Sequence, residues 1–386
     1  MKASRWALMS WIRCPLPATP SRATCAGSWT DTPPRSSPSG SDADHIVTGG
    51  LEGTLRIVGG VVSGAAALTL LKERMPDYEI AVAGGGPAGL TAALFAARHG
   101  QSTVLFDPLG SGGAILNTER LEDFPGFPEG VPGYELGPRM QGQVIDAGGA
   151  FEMSEVTRIE PRGGDWSVVT DAGEVGASAV IVATGSRPRK LGVPREEAFE
   201  GRGLSTCAGC DGPLYRGRLV AVCGDGDSAL VETLELVQHD VRVVLIHPDE
   251  SFAGQEAYGR RVRESAQVEV KDRTMLEEIL GDGQVDGIRV RDLVTGVSST
   301  LPVAGVFANV GRLPNTEMLE GVVALDEQGC IPTDIWMRTE REGLFAAGDV
   351  RADAPGQAIT AAGDGATAAL AAHRYLADRA AIARSA

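Results

Sequence analysis

Paired cysteines, basic charge and long apolar runs are all in short supply in this chain, and each shortage removes a class of function. Only six cysteines occur, at Cys14, Cys25, Cys207, Cys210, Cys223 and Cys330. They are too few and too scattered for the disulfide framework of a secreted domain, so a reducing, cytoplasmic location is expected. Lys and Arg number 35 against 51 Asp and Glu, a formal net charge of −16. That charge argues against a nucleic-acid or anionic-membrane partner, which a basic face would be needed to meet. The longest candidate for a membrane span, residues 57–71, is short and rich in Gly, Ala and Ser, below the length a bilayer requires. What remains is a chain with 43% hydrophobic and 22% charged residues, an ordinary globular composition with room for two cores.

The first 40 residues set Lys2, Arg5, Arg13, Arg22 and Arg35 against the single acid Asp31 and end in a Pro/Ser cluster. Such a segment reads as unstructured. Its basic bias is compatible with a transit peptide, and Trp6 to Ile12 with a very short secretory segment, but neither pattern is clean. Met75 stands just before the first regular strand, where a complete protein could begin. Residues 1–77 are therefore expected to form a disordered or dispensable extension.

From Tyr78 the pattern changes to strand, tight turn and helix. The apolar run Tyr78 to Ala83 leads into Gly84-Gly85-Gly86-Pro87-Ala88-Gly89 and then an alanine-rich stretch, Leu90 to His99. Gly84, Gly86 and Gly89 occupy the G-x-G-x-x-G positions, which let backbone approach a pyrophosphate at a helix N-terminus. The next apolar run, Ser102 to Phe106, ends in Asp107, at the spacing of an acid that binds a ribose hydroxyl. The arrangement recurs further on. Leu219 to Cys223 precedes Gly224-Asp225-Gly226-Asp227-Ser228-Ala229, a helical stretch through Val231 to Val237, and a strand from Val241 to Ile246 that ends in His247-Pro248-Asp249. Ala229 replaces the third glycine and still permits close helix-to-strand packing. The fold class that follows is α/β, with two Rossmann-like dinucleotide-binding domains. Cys223 reads as a small buried hydrophobe on its strand.

The intervening stretches are less specific. Gly112-Gly113 and residues 121–127 make a loop whose glycines could approach a flat ring or merely link elements. Phe151 to Val182 alternates β-rich runs with turns and ends in Ala183-Thr184-Gly185, a β-meander returning to the first sheet. Gly343 to Asp349 reads as a strand, a glycine turn and an acid able to bond a sugar-like hydroxyl, or as an ordinary strand-to-helix corner. Gln357 to Arg374 reads as a terminal helix.

Between the two glycine turns lies Cys207-Ala208-Gly209-Cys210-Asp211. Two cysteines at this spacing form a small reducible ring, and neighbouring backbone amides lower a thiol's pKa. Half of a zinc site and two unrelated thiols are the other readings, but no second C-x-x-C or C-x-x-H completes a metal set. The position between nucleotide fingerprints favours a redox relay, with Cys207, Cys210 and Asp211 as catalytic residues and no metal.

Taken together, two fingerprints, Cys207-Ala208-Gly209-Cys210-Asp211-Gly212 between them, Ala183-Thr184-Gly185 before and Gly348-Asp349 near the end resemble the low-molecular-weight flavoprotein thioredoxin reductases over residues 78–380. In that family the cysteine motif reads C-A-T-C-D-G. The resemblance implies a discontinuous FAD domain, residues 78–189 and 309–386, with an NAD(P) and redox-disulfide domain, residues 190–308, inserted and able to rotate. It implies FAD contacts at Gly84, Gly86, Gly89, Asp107, Thr184, Gly185, Asp349, Gln357 and Ala358, and nicotinamide contacts at Gly224, Gly226 and Ala229, while Asp249, an acid at a strand end, could accept hydrogen bonds from an unphosphorylated ribose. Cys210 would face the flavin, Cys207 would attack the partner's disulfide, and Asp211 would move the proton. The implied activity passes electrons from a reduced donor through FAD and the dithiol to thioredoxin or a thioredoxin-like protein, in a homodimer. A flavin dithiol oxidase and a flavin redox sensor with a degraded nicotinamide site are the alternatives.

Departures from the family pattern are specific. Ala114, Asp123 and Gly356 stand where Gln, Asn and Arg are usual, and Pro213-Leu214 replaces Phe-Phe. The family's phosphate clamp H-R-R-x-x-x-R becomes His247, Pro248, Asp249 and Ala253. Its arginines grip the 2′-phosphate of NADPH, so their replacement favours NADH. Asp225 and Asp227 would face the pyrophosphate of either nicotinamide, leaving another donor open, while Arg260, Arg261 and Arg263 downstream are candidates to restore the clamp.

Overall fold

The computed structural model describes residues 76–385, together with three short strands, β1 (Thr48–Gly49), β2 (Leu55–Ile57) and β3 (Gly60–Val62). These three pair antiparallel within an N-terminal unit, Met1–Ala67. The remaining expectations for residues 1–75, a targeting segment and a start at Met75, lie outside the described residues.

In the second unit, β4 (Tyr78–Ala83) leads into α1 (Pro87–Arg98) and β5 (Thr103–Phe106). After a 3₁₀ turn, Gly113–Asn117, come α2 (Gly133–Asp146) and β6 (Ala150–Glu152). The meander follows as β7 (Val156–Arg162), β8 (Asp165–Thr170) and β9 (Gly173–Val182). The strands order as β6-β5-β4-β9-β8-β7, and β20 (Leu344–Ala346), from near the C-terminus, joins β9 in parallel. Ile80 to Ala83 are buried throughout, as expected of a parallel strand covered on both faces. One cover is α1 against the terminal helix α6 (Ala358–Ser385). Ala88, Ala92 and Ala96 meet Ala361, Ala368 and Ala372 there. A β-carbon on Gly365 would lie 2.0 Å from the Ala88 carbonyl oxygen. Small residues thus let the two helices touch backbone to backbone, which fixes where both of their N-termini point.

A two-stranded antiparallel ribbon, β10 (Ser186–Pro188) with β19 (Arg312–Pro314), stands between this sheet and the next. Beyond it lie β11 (Leu204–Ser205), the single-turn α3 (Ala208–Asp211), β12 (Leu219–Cys223), α4 (Asp227–Gln238) and β13 (Arg242–Ile246). Then come α5 (Glu256–Glu264), β14 (Val268–Lys271) and an antiparallel sheet of β15 (Thr274–Leu280), β16 (Gly287–Asp292) and β17 (Ser298–Leu301). β18 (Val306–Ala308) completes a parallel sheet ordered β11-β18-β12-β13-β14. Two strand-turn-helix units therefore stand in separate sheets, each with its glycine turn at the C-terminal end of a central strand, where open α/β sheets take ligands.

Candidate active site

The first glycine turn is shaped by close approach. Gly84 has φ +106°, and a β-carbon there would fall 2.3 Å from the Ala183 carbonyl oxygen, while one on Gly89 would fall 1.8 Å from the Gly84 carbonyl oxygen. Gly86, by contrast, faces open space with nothing within 4 Å. The turn is therefore tight on the protein side and clear on the side where a pyrophosphate would meet the N-terminus of α1. Asp107 accepts the Gly85 amide at 2.6 Å and the Leu109 amide at 2.9 Å, holding the carboxylate at the end of β5 beside that cleared space. Such a cradle suits a dinucleotide.

The other first-fingerprint candidates come from chain crossings. The Thr184 hydroxyl donates to the Asn315 carbonyl at 2.6 Å, and Gly185, at φ +63°, receives the Asn315 amide on its carbonyl. Among the described residues the side-chain partner of Asp349 is the Ser186 hydroxyl, at 3.5 Å. Burial pushes its carboxyl up from the ordinary range, the mark of an acid short of partners. Gln357 precedes Ala358, the first residue of α6.

In the second turn Gly224 has φ +141°, and a β-carbon there would meet the Asn309 carbonyl oxygen at 2.1 Å, whereas Gly226 again faces open space. Ala229 is fully buried. Asp227 changes the surroundings. Its carboxylate accepts the Gln255 amide at 2.6 Å and the Gln357 side chain at 2.5 Å. The Ala253 and Gly254 amides donate to the Asp225 carbonyl. Residues 253–255 are thus drawn over the turn, and an acid already sits at the N-terminus of α4, where the helix favours negative charge. Asp249 is exposed at the end of β13. His247 is buried, with Nε2 2.8 Å from Asp272. Arg263 holds the same Asp272 through two contacts, 2.7 and 3.1 Å, and Arg261 holds Glu122 at 2.8 Å.

Cys207 and Cys210 are joined as a disulfide, with α-carbons 5.4 Å apart. Cys210 is exposed and Cys207 half-buried. Cys207 caps α3, and its sulfur accepts the Cys210 amide at 3.2 Å. A backbone donor aimed at one sulfur favours its thiolate once the pair is reduced. The Asp211 amide reaches the Cys207 carbonyl at 3.2 Å. Burial, and then the charge of Asp211, push the Tyr215 phenol up. Leu214, two residues past the motif's last glycine, is 73% exposed. The group in hydrogen-bond contact with Gln357 is Asp227 of the second glycine turn, while the disulfide turn packs on Glu235 and Asn117.

Several residues around these turns escaped the sequence reading. Asn309 donates to Glu232 at 2.9 Å, and burial pushes the Glu232 carboxyl up to about 8. Glu235, also buried, is pushed up to about 7 by burial and by Glu119. The spacing of Glu232 and Glu235 in α4 and of His239 at its C-cap, three and then four residues, places them along one helical face, and that was the signal available for finding them.

A fold with two such turns, and a dithiol between them in sequence, defines a flavin and pyridine-nucleotide oxidoreductase. Residues 78–365 match the family model for pyridine nucleotide-disulphide oxidoreductases. The chain is 39% identical over 300 residues to the thioredoxin reductase of Treponema pallidum, covering 78% of this chain and 97% of that protein. It is 39% identical over 303 residues to the thioredoxin reductase of Mycolicibacterium smegmatis, covering 78% and 97%. Among solved structures, Lactococcus lactis thioredoxin reductase in its FR conformation superposes with a TM-score of 0.76 at 34% identity, covering 78% of this chain and all of that one. The T. acidophilum enzyme superposes with a TM-score of 0.74 at 31% identity, over 78% and 99%. The chain belongs to the thioredoxin reductase family.

Proposed function

We propose that this protein is an FAD-dependent thioredoxin-disulfide reductase. The observation that carries the reading is the Cys207–Cys210 disulfide, exposed at Cys210 and flanked in sequence by two glycine turns, the first of them clear at Gly86. Residues 78–189 and 309–386 would hold FAD through Gly84, Gly86, Gly89, Asp107, Thr184, Gly185, Asp349, Gln357 and Ala358. Residues 190–308 would hold the nicotinamide through Gly224, Gly226, Ala229 and Asp249. The chemistry a bound FAD supplies is two-electron exchange between a hydride donor and a disulfide.

The dithiol's own steps are those of thiol–disulfide exchange, with the roles the family resemblance implies. With the pair reduced, the Cys207 thiolate, favoured by the Cys210 amide, attacks one sulfur of the partner's disulfide. A mixed disulfide forms and the partner's other sulfur leaves as a thiolate, which takes a proton through Asp211. The Cys210 thiolate then attacks the Cys207 sulfur, re-forming the internal disulfide and releasing the partner's second thiolate. Exposed Leu214, four residues after exposed Cys210 in sequence, offers an apolar anchor for a protein such as thioredoxin. A cytoplasmic homodimer is the assembly this reading carries with it. Among the described residues no helix is long and apolar enough to cross a membrane.

For the donor, NADH is favoured over NADPH. Pro248 and exposed Asp249 offer a 2′-phosphate no cation, and two of the three downstream arginines, Arg261 and Arg263, are committed to Glu122 and Asp272. The carboxylate of Asp227 at the N-terminus of α4 supports a second reading, in which another reductant replaces the nicotinamide. Steady-state reduction of thioredoxin with NADH, NADPH and a chemical reductant, set against oxygen uptake on adding dithiols, tests the function. Thioredoxin reduction without dithiol-driven oxygen uptake is expected. The converse would make the protein a dithiol oxidase.

A further inference from the structure

Beneath the disulfide turn lies a cluster that thiol-disulfide exchange does not use. Glu235 lies in the last turn of α4 and His239 caps its C-terminus four residues on, and Glu119 approaches them from the loop after the 3₁₀ turn. One ligand atom from each lies within 4.8 Å of the other two. Two of these side chains carry buried atoms with no hydrogen-bond partner among the described residues, Glu235 Oε1 and His239 Nε2. Glu235 is only 6% exposed, and His239 Nε2 stands 3.5 Å from Glu119 Oε1. Buried polar atoms without partners are rare because each keeps its full desolvation cost.

The neighbouring cations do not meet this need. Arg120 is turned to the Glu129 carbonyl, at 2.8 Å from Nε, and Arg261 is paired with Glu122. The floor is set by the redox motif itself. A β-carbon on Gly209 would come within 2.5 Å of Glu235 Oε1, and one on Gly212 within 3.0 Å of His239 Cδ2. The motif's two glycines therefore make room for the Glu235 and His239 side chains. Glu119 is exposed and shares a cleft with Glu235, Val231 and Leu234, which gives an ion a way in.

We propose that Glu119, Glu235 and His239 form a binding site for a divalent transition-metal ion of the zinc type, which ties the loop after the first sheet's 3₁₀ turn to α4 under the Cys207–Cys210 disulfide. One imidazole nitrogen and two carboxylates are a donor set that zinc accepts, with water filling the remaining position. A dication balances the two carboxylates at a place where two buried polar atoms lack partners among the described residues. The redox disulfide takes no part, and its sulfurs stay bonded to each other.

The test is calorimetric titration of zinc chloride into FAD-loaded, fully oxidised protein, for the wild type and for Glu119→Gln, Glu235→Gln and His239→Gln. One zinc per chain is expected, with each substitution weakening binding at least about tenfold, on the scale of losing one of three ligands. A zinc-dependent rise in melting temperature should accompany binding to the wild type and shrink in each variant. Glu119 is exposed, so Glu119→Gln reports even where a buried substitution disturbs folding. No binding by the wild type, or equal binding by wild type and Glu119→Gln, would overturn the site. Equal binding would place the zinc on free thiols instead.

Discussion

The side-chain amide of Gln357 donates to Asp227 Oδ2 at 2.5 Å, joining the residue before α6 to the first residue of α4. Because the same carboxylate accepts the Gln255 amide at 2.6 Å, Asp227 is a three-way clasp at the mouth of the second glycine turn. A nicotinamide pyrophosphate entering there must displace or face this charge. Replacing Asp227 with Ser removes one like charge, worth about 1 kcal/mol in a solvent-screened site, or about fivefold in affinity. Asp227→Ser should lower the KM for NADH by that factor with little change in kcat. An unchanged KM would show that the carboxylate lies outside the pyrophosphate's path.

Donor selectivity should respond to the residues after β13. His247 is buried and bound to Asp272, so it is not available to grip a phosphate, while Pro248 and Asp249 are exposed. The double variant Pro248→Arg/Asp249→Arg should raise kcat/KM for NADPH at least about tenfold, the scale of one charge-assisted clamp. A smaller change for NADPH than for NADH, followed by anaerobic stopped-flow bleaching of the flavin, would move the selectivity determinant elsewhere.

Asp211 stands beside the disulfide, with its charge felt at Tyr215. If it carries the proton to the departing thiolate, Asp211→Asn should slow disulfide exchange by about 10²-fold and leave flavin content unchanged. Rapid mixing of pre-reduced variant with thioredoxin measures this, and an unaltered rate would confine Asp211 to shaping the turn.

Cys223, 3% exposed on β12, has its thiol pushed up to about 12 by burial. The folded state keeps its proton through a range in which the unfolded thiol has already lost it. Stability from this group is therefore fully present below the ordinary thiol pKa near 9. It falls by about 1.4 kcal/mol per pH unit above that value. Denaturant unfolding at pH 8.5 and 10 should show wild type losing more stability than Cys223→Ala by roughly 1 to 2 kcal/mol. Iodoacetamide should also leave Cys223 unmodified in the native protein. Equal losses in the two proteins would contradict the burial argument.

Much of this architecture was legible because its chemistry is local in sequence. The runs Tyr78–Ala83 and Leu219–Cys223 coincide with β4 and β12, since apolar runs that stop at glycines leave little choice of boundary. The helix α2 was not read, as Pro138 and three glycines within Gly133–Asp146 mask its periodicity. α6 runs to Ser385 rather than Arg374, for nothing after Arg374 breaks an alanine-rich helix. The relationships that depend on distant parts of the chain were illegible. Neither Gln357 on Asp227, 130 residues away, nor Glu119 beside His239 leaves a trace in local spacing. Nor does local spacing show that Gly209 lies over the Glu235 carboxylate, where a β-carbon would come within 2.5 Å of Oε1.

The most direct measurement of the central claim separates the dithiol from the question of donor. Protein with its flavin photoreduced under anaerobic conditions is mixed with oxidised thioredoxin, and thioredoxin thiols are counted for wild type, Cys207→Ser and Cys210→Ser. Exchange needs both sulfurs. The expected result is stoichiometric thioredoxin reduction by wild type and no release of reduced thioredoxin from either variant, each of which still binds FAD. Reduction of thioredoxin by a variant lacking one of the two sulfurs would contradict the assignment of Cys207 and Cys210 as the redox relay.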